Sequence, residues 1–432
     1  MSKNRCFASE EDLQSYLSKF IEVLKNCILS IKFEDGKPTT NNDYTKRLGA
    51  ISNDILKCTI NNMPIKTYAN STDVLILVAI STIDYVSRVA KNLHITDGHL
   101  GAGNVDLDQV VGEIANKIYK SPCYYTYVYT IPGAQFALES NVKVSNSISI
   151  SMTNLCGEPK AAGLLATFSQ QEQGTSVDAC VTKTCPCVLI KVPGLCGGVE
   201  SNLGSVRADS LFKQFFMISC ILGLIKMNHY GRIDITDIDK DIRRFITGEG
   251  VASVKSTLQY VLINAIQNSY ITKLGLEVLS DVKKNHEVIN LELQMISELL
   301  DVESEENMRI CSSCSWLFEA YFTDNKTSSF VFTSLAIEAM FGDKDSSRNT
   351  KEVMASRFAY TVTRNYKERD FVYGLYKDFY DKRSIIVHGS KAIISEEEEG
   401  LLMYIQSRFR HLLSQTIEDR INILSKVERT TR

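Results

Sequence analysis

The sequence predicts an α+β fold that is mostly helical. Apolar residues recur at helical spacing through the first 120 residues and again from residue 208 onward. Over residues 123–192 they instead alternate with period two and are rich in β-branched and aromatic types. The composition, 44 % apolar and 23 % charged, is that of a globular protein and excludes disordered and fibrous classes. We therefore expect N-terminal helices, a middle antiparallel β-sheet segment and a C-terminal helical bundle.

A helical N-terminal region is predicted for residues 1–120. Ser9 is expected to be an N-cap, because acidic residues follow it in the first turn. Over residues 13–24 the apolar side chains share one stripe, which predicts a single amphipathic helix. A second helix is expected at residues 71–93, ended by the glycine-containing segment 98–104.

The middle region, residues 121–305, should combine strands and helices. Turns containing Gly or Pro separate four predicted strands, as in an antiparallel sheet; the strands span residues 124–131, 142–152, 164–168 and 177–192. Three helices are expected to follow, at residues 208–227, 251–268 and 288–300. We interpret this region as a sensor or regulatory part, with the acidic segment 301–307 as its boundary.

The C-terminal region, residues 310–432, is predicted to be all helical. Its expected helices span residues 315–322, 328–341, 350–365, 366–387 and 395–427. Ser395 and Glu398 have the spacing of a capping box, and the acidic run 396–399 suits the start of a helix. We therefore interpret that acidic run as structural and not as catalytic.

The end of the helix at 366–387 carries the most informative pattern. Gly389 favours a helix end, which places His388 in the last turn, where helix carbonyls stabilise an imidazolium. Arg383, five residues earlier, has the guanidinium geometry that holds a phosphate. Five residues correspond to about 140° of helical turn, so the two side chains converge only at a helix end or through a second copy. The alternative is a capping histidine beside a surface arginine.

Arg383, Ser384 and His388 resemble the motif of the HEPN superfamily, in which an Arg, usually followed by a polar residue, precedes a His by four to six residues. The segments 316–320 and 335–341 look most like the Apea-like HEPN branch associated with prokaryotic defence. The resemblance implies a helical bundle that dimerises so that two motifs face each other across one cleft. Ser384 replaces the Asn, Asp or His that commonly follows the Arg.

The resemblance also implies a reaction. HEPN domains are typically metal-independent endoribonucleases of antiviral defence or toxin systems, in which a ribose 2′-OH attacks the adjacent phosphate and leaves a 2′,3′-cyclic phosphate. Here His388 would handle protons, Arg383 would stabilise the developing charge and Ser384 would support them. The implied partners are an RNA substrate, a second copy of the chain, and a defence-system partner or phage trigger. A non-catalytic dimerisation module, or one that binds a nucleotide or protein, is the alternative.

Charge is distributed in agreement with a local phosphate site. The net charge of −3 argues against charge-driven coating of nucleic acid. Residues 364–391, however, hold seven Lys or Arg against four Asp or Glu. We predict RNA contacts for Lys382, Lys391 and Tyr380. Base stacking by Tyr380 and by two further tyrosines, Tyr373 and Tyr376, competes with core packing as the explanation of their helical spacing.

No cofactor and no metal is expected. The cysteines Cys180, Cys185, Cys187 and Cys196, and the pair Cys311 and Cys314, are interpreted as buried free thiols, with shared zinc as the alternative. The glycine-rich runs lack the Lys and Ser/Thr of a P-loop, which argues against ATP hydrolysis. With no export signal and no apolar stretch long enough for a membrane span, a cytoplasmic protein is expected.

Overall fold

The computed structural model describes residues 5–130, 142–151, 187–195, 202–224, 226–227, 243–249, 261–262, 276–277, 286–323, 325–342, 350–389 and 393–431. The predicted strand at 164–168, most of the predicted helix at 251–268 and Lys391 lie outside these residues. Helices dominate the described residues and small, mainly antiparallel sheets accompany them, which confirms the α+β, mostly helical class. Within these residues, no helix has both the length and the apolar character needed to cross a membrane.

The chain divides into two compact units, each built from separate stretches of sequence. The first comprises Met1–Tyr127, Lys191–Ala208 and Ile246–Gln259. The second comprises Val128–Ile190, Asp209–Phe245 and Tyr260–Arg432. All the helices of the predicted C-terminal region therefore belong to the second unit.

Helices build most of the first unit. They are α1 Glu10–Leu17, α2 Ile21–Leu29, α3 Asn42–Ile55, α4 Ser71–Asn92 and α5 Leu107–Tyr119. Short strands that the sequence did not predict accompany them: β1 Arg5–Phe7, β2 Lys32–Glu34, β3 Lys37–Thr39, β4 Cys58–Ile60, β5 Met63–Pro64 and β6 Gly98–His99. They form two small sheets with the orders β1-β4-β5 and β3-β2-β6. Strands of two or three residues are too short to show a period in sequence.

The N-cap predicted at Ser9 is confirmed, but the single helix predicted after it is wrong. The Ser9 hydroxyl accepts a hydrogen bond from the Asp12 amide at 3.1 Å. A 3₁₀ turn at Ser18–Phe20 separates α1 from α2. There the Ser18 hydroxyl donates to the Gln14 carbonyl at 3.0 Å, a local bond that bends helices. Both helices still bury their apolar stripe, because Leu13 and Leu24 lie in one core.

The second predicted helix is confirmed to within one residue as α4. Its start is fixed by a capping box in which the Asn70 side chain accepts from the Asp73 amide and Asp73 accepts from the Asn70 amide. It ends just before His94, whose φ of +57° lies in the left-handed region. The apolar face, which includes Val74, Val78 and Val86, is buried in the core of the first unit.

The middle region forms a sheet, as the sequence predicts. Its strands are β7 Cys123–Thr130, β8 Val142–Lys143, β9 Ile148–Ser151, β10 Cys187–Gly194, β12 Arg243–Glu249 and β13 Val261–Leu262. They lie in the order β13-β12-β7-β10-β9-β8. The strand β11 Lys226–Met227 does not belong to this sheet. Antiparallel pairing aligns Ile190 with Ile148 between β10 and β9. The predicted strand at 142–152 is instead a hairpin, because the amides of Val144 and Ser145 turn back to the Ile148 carbonyl.

Two predicted helices of the middle region need correction. Val261 and Leu262, expected in a helix, pair as a strand with β12. The helix expected at 208–227 is α6 Asn202–Ile221, and Gly223, two residues beyond its end, has a φ of +74°. Beyond it, β11 pairs in antiparallel fashion with β14 Leu276–Glu277. Pairing with a distant strand has overridden the local helical pattern at these positions.

The C-terminal helices agree with the prediction more closely. They are α7 His286–Asp301, α8 Glu305–Phe322, α9 Lys326–Phe341, α10 Thr350–Val362, α11 Tyr366–Val387 and α12 Glu396–Thr431. The bounds of α11 are those predicted. The start of α8 is ten residues earlier than expected, because Ser304 caps it by accepting from the Asn307 amide at 3.1 Å. The Asn307 amide group in turn donates to the carbonyls of Glu298 and Val302, which joins α7 closely to α8.

Aromatic rings form the core of these helices. Phe318 on α8 packs edge-on against Phe216 on α6, with ring centroids 5.6 Å apart. Phe330 on α9 stacks on Phe379 of α11 at 4.3 Å. Rows of such contacts exclude water from the interior and hold α9 and α11 at a fixed separation. That separation positions the charged side chains near the C-terminal end of α11.

Candidate functional site

The C-terminal end of α11 has the local structure that the sequence predicts. His388 is the C-cap residue, and its amide donates to the Ser384 carbonyl at 3.0 Å. Gly389 follows with a φ of +74°, a conformation that glycine adopts without strain. The His388 side chain is exposed at the carbonyl end of the helix.

Arg383 is partly buried and is held against α9. Its Nε donates to the Ser334 hydroxyl on α9 at 3.1 Å, and its Nη2 lies 3.3 Å from Oε1 of Glu338. The Ser334 hydroxyl also donates to Oε1 of Glu338 at 3.1 Å, which closes the network. The side chain of Arg383 is 21 % exposed and that of Glu338 27 %. The guanidinium is therefore fixed in position and its charge is partly compensated.

A buried phenol lies beside this network. Tyr376 is fully buried on α11, and its Oη has no hydrogen-bond partner among the described residues. Burial raises the pKa of Tyr376 far above its ordinary value, and the nearby negative charge of Glu338 raises it further. Tyr376 is thus a core residue and is not available for base stacking, which agrees with the packing interpretation of its spacing.

The remaining predicted site residues occupy different surroundings. Lys382 lies between two carboxylates, 3.4 Å from Asp378 and 3.9 Å from Glu398. Tyr380 is half-buried beneath Arg383, whose guanidinium carbon is 5.7 Å from the ring centroid. Ser384 contributes its backbone carbonyl to the helix end at His388.

The acidic run at the start of α12 has the structural role that the sequence indicated. Glu398 and Ser395 form the predicted capping box, with the Ser395 amide donating to Glu398 at 2.7 Å. Glu399 pairs with Lys326 of α9, so the run also joins two helices.

A single copy of the chain does not bring Arg383 and His388 together. The side chain of Arg383 faces α9, and that of His388 faces solvent. In the part of the chain that the structure describes, no hydrogen bond or ring contact joins the two. Their separation of five residues advances about 7.5 Å along the helix and turns about 140° around it.

Of the cysteines whose side chains the structure describes, Cys6 is exposed and the others, including Cys311 and Cys314, are buried free thiols. Burial raises the pKa of Cys311 to about 12, and it raises that of Cys314 well above its ordinary value. The Cys311 thiol lies 3.3 Å from the Leu299 carbonyl. Among the described side chains, no group of three or more His, Cys, Asp or Glu could hold a metal ion. Cys180, Cys185 and Cys196 lie outside the described residues.

The arrangement at the end of α11 thus offers an exposed imidazole and a fixed guanidinium, which suit proton transfer and phosphate binding. We compared the chain with protein families, curated proteins and solved structures. No family model, curated protein or solved structure matches it. The likeness to HEPN domains therefore rests on the sequence alone, on the motif and on the segments 316–320 and 335–341.

Sequence reasoning missed a group of exposed aromatic residues at the other end of α11. Tyr360 near the end of α10 is 65 % exposed, and Tyr366 and Phe371 at the start of α11 are 73 % and 58 % exposed. The exposure of Phe371 could have been predicted from its neighbour Val372, which belongs to the apolar stripe with Tyr376 and Phe379. Neighbouring helical positions point about 100° apart, so Phe371 faces away from that stripe. Nothing in the local pattern marks the exposure of Tyr360.

Proposed function

We propose that this protein is a metal-independent endoribonuclease of an antiviral defence or toxin system, active in the cytoplasm and regulated by its N-terminal region. The observation that carries the proposal is the exposed His388 at the carbonyl end of α11, five residues beyond the fixed guanidinium of Arg383. The reaction class comes from the likeness of Arg383, Ser384 and His388 to the HEPN motif. The described helices 286–431 are compatible with the bundle that this likeness implies.

In the proposed reaction, His388 removes the proton from a ribose 2′-OH. The 2′ oxygen then forms a bond to the adjacent phosphorus, and the bond from phosphorus to the 5′ oxygen breaks. The leaving 5′ oxygen takes up a proton from an imidazolium, so protons balance over the cycle.

Arg383 stabilises the negative charge on phosphorus oxygens in the transition state. One side of its guanidinium is bonded to Ser334 and Glu338. Its Nη1 makes no hydrogen bond to the described residues, which leaves two N–H donors for a phosphate oxygen. Glu338 is accordingly a positioning residue: it fixes the guanidinium of Arg383 and neutralises part of its positive charge.

The decisive experiment uses the purified full chain in EDTA with a labelled RNA. Cleavage that leaves 2′,3′-cyclic phosphate ends is expected, together with loss of cleavage in His388→Ala. Because His388 is exposed, this variant should keep the unfolding midpoint of the unchanged protein, which separates loss of chemistry from loss of fold. Undiminished cleavage by folded His388→Ala would overturn the proposal.

A second candidate function is a non-catalytic module for dimerisation or for binding a nucleotide or protein. The ion pair between Arg383 and Glu338 favours it, since an arginine that only joins α11 to α9 needs no substrate. In that case Arg383→Ala lowers the unfolding midpoint, and His388→Ala changes neither stability nor growth of an expressing cell. For the nuclease, expression of the unchanged chain arrests growth and expression of His388→Ala does not.

A further inference from the structure

We propose that the turn between α10 and α11 is a binding platform for single-stranded nucleic acid. The platform consists of the exposed rings of Tyr360, Tyr366 and Phe371 together with the cations around them, Arg364, Lys367, Arg369 and Arg408. Proteins that bind single strands without reading sequence combine exposed aromatic rings, on which bases stack, with a positive surface for the phosphates. The choice of RNA as the strand rests on the proposed function, whereas the platform itself does not.

The turn that carries the rings is firmly held. Asn365 caps α11 by accepting from the Lys367 amide at 3.1 Å, and the Thr363 hydroxyl accepts from the Asn365 amide at 3.1 Å. Arg369 donates from Nε to the Thr363 carbonyl and from Nη2 to the Arg364 carbonyl. These bonds close the turn over its whole length. The rings are therefore presented on a rigid base, which lowers the entropy lost when a strand binds.

Guanidinium groups of the chain lie over aromatic rings at this surface. The guanidinium of Arg369 lies 4.4 Å from the centroid of Tyr360. On α12, the guanidinium of Arg408 lies 5.2 Å from the centroid of Tyr404, and Phe371 packs edge-on against that same Tyr404. The platform thus extends from the turn to the neighbouring helix α12.

The charge of the platform suits a polyanion. Arg364 and Lys367 are exposed at the turn. The carboxylate of Glu368 is compensated by Arg408 at 2.8 Å and by the Thr363 hydroxyl at 2.8 Å. With four cations against Glu368 and Asp370, the surface is positive within a chain whose net charge is −3.

The platform lies at the opposite end of α11 from His388. The helix has 22 residues and so is about 33 Å long. A strand that is bound at the turn and cut at His388 of the same chain therefore spans about ten nucleotides at a stacked spacing of about 3.4 Å. An RNA much shorter than about ten nucleotides cannot reach both places, so its rate of cleavage should not depend on the platform.

The test measures binding of labelled 12-nucleotide U and A strands by fluorescence anisotropy, with the full-length His388→Ala protein so that RNA stays intact. Tyr366→Ala and Phe371→Ala should each weaken binding about five-fold or more, as loss of one stacked base does. Tyr366→Phe keeps the ring and should bind within about two-fold of the parent. Met308→Ala, which removes an exposed apolar side chain from α8, is the matched control and should leave binding unchanged.

The cations are tested by salt dependence. The double variant Arg364→Ala/Lys367→Ala should reduce the slope of log affinity against log salt by about 1.4, since each phosphate contact to a single strand contributes about 0.7. A DNA 12-mer that binds equally well supports the platform too, because stacking does not read the sugar.

Three results would overturn the platform: ring variants that bind as tightly as the parent, a hairpin duplex that binds as well as the single strand, or an acidic peptide that binds the turn while oligonucleotides do not. The proposed nuclease is tested separately by cleavage in the unchanged chain. Binding at the turn without any cleavage contradicts the nuclease alone, whereas cleavage that ring variants leave unaltered on long RNA contradicts the platform alone.

Discussion

Tyr376 has a hydroxyl that the described fold does not satisfy. Its ring packs between Phe358, at 5.0 Å, and Phe379, at 6.0 Å, so its contribution to stability is that of an apolar side chain. An unpaired buried hydroxyl costs about 1–3 kcal/mol relative to its absence. Substitutions of Tyr376 can therefore measure the contribution of its ring and that of its hydroxyl separately.

We expect Tyr376→Phe to raise the free energy of unfolding by about 1 kcal/mol, because it removes the unpartnered hydroxyl and keeps the ring. Tyr376→Leu, which removes the ring contacts, should lower it by about 2–3 kcal/mol. Urea denaturation of the full chain measures both. A loss of stability in Tyr376→Phe would show that the hydroxyl has a partner in solution.

The ion pairs of Asp54 make the stability of the first unit depend on pH. Its carboxylate accepts from Lys19 at 2.5 Å and from Lys57 at 3.0 Å, and these bonds, first that from Lys19, lower its pKa to about 2 from an ordinary value of 3.8. A lowered pKa stabilises the fold above pH 3.8, and that stabilisation is lost as pH falls toward about 2.

Asp54→Asn should therefore be less stable than the unchanged protein at pH 6, and the difference should shrink as pH falls from 4 to 2. The midpoints of urea denaturation of both proteins, at a series of pH values, measure this difference in stability. Because Lys19 and Asp54 are both partly exposed, added salt should also reduce the difference. A difference that is constant with pH would contradict the role of this carboxylate.

At the scale of elements, α11 contains one glycine and is followed closely by another, and their replacement should have opposite effects. Gly389 has a φ of +74° just beyond the helix, whereas Gly374 lies within the helix, where an added Cβ meets nothing within 4 Å. An alanine at Gly389 forces a side chain into the left-handed region, at a cost of about 1 kcal/mol. An alanine at Gly374 gains helix propensity of about 0.8–1 kcal/mol.

We expect Gly389→Ala to lower, and Gly374→Ala to raise, the unfolding midpoint, as measured by thermal or urea denaturation. The two variants make the same chemical change on one element, so each is the control for the other. A destabilised Gly374→Ala would mean that this exposed face is covered by something other than solvent. A neutral Gly389→Ala would mean that the end of α11 relaxes without strain.

A buried amide fixes α12 against α9. The Gln406 amide group donates to Ser329 at 3.1 Å and to Thr333 at 2.9 Å, and all three side chains are buried. Helix packing by apolar contacts alone permits small shifts along the axes, whereas these bonds are satisfied only at one register. The pairing could not be predicted from the sequence, because Gln406 lies more than 70 residues from its partners.

Gln406→Leu should lower the free energy of unfolding by about 1–2 kcal/mol through the lost hydrogen bonds, despite its gain in apolar surface. Gln415→Leu, at an exposed position on the same helix, should change it by less than about 0.5 kcal/mol. Urea denaturation compares the two. Equal effects in both variants would show that the buried bonds contribute nothing beyond helix propensity.

At the scale of the whole molecule, the sequence predicted best where local rules decide the structure. The bounds of α11 follow from its apolar spacing and the glycine at 389, and the fold class follows from periodicity. The hairpin at β8 and β9 and the strand at Val261 depend on pairing with distant residues, which local patterns do not contain. For the same reason the contact of Arg383 with Glu338 on another helix could not be predicted from the sequence.

The proposed dimer can be tested by mixing two inactive variants. Arg383→Ala lacks the guanidinium and His388→Ala lacks the imidazole, so neither forms a complete site alone or as a homodimer. If each site takes its arginine from one copy and its histidine from the other, a mixed dimer contains one intact site of two. With equal amounts and free exchange, half of the dimers are mixed, and we expect about one quarter of the activity of the unchanged protein to return.

RNA cleavage before and after mixing measures this recovery, and light scattering verifies the dimer. No recovery in a protein shown to exchange subunits would place both residues in a site of one chain, which requires α11 to rearrange at its end.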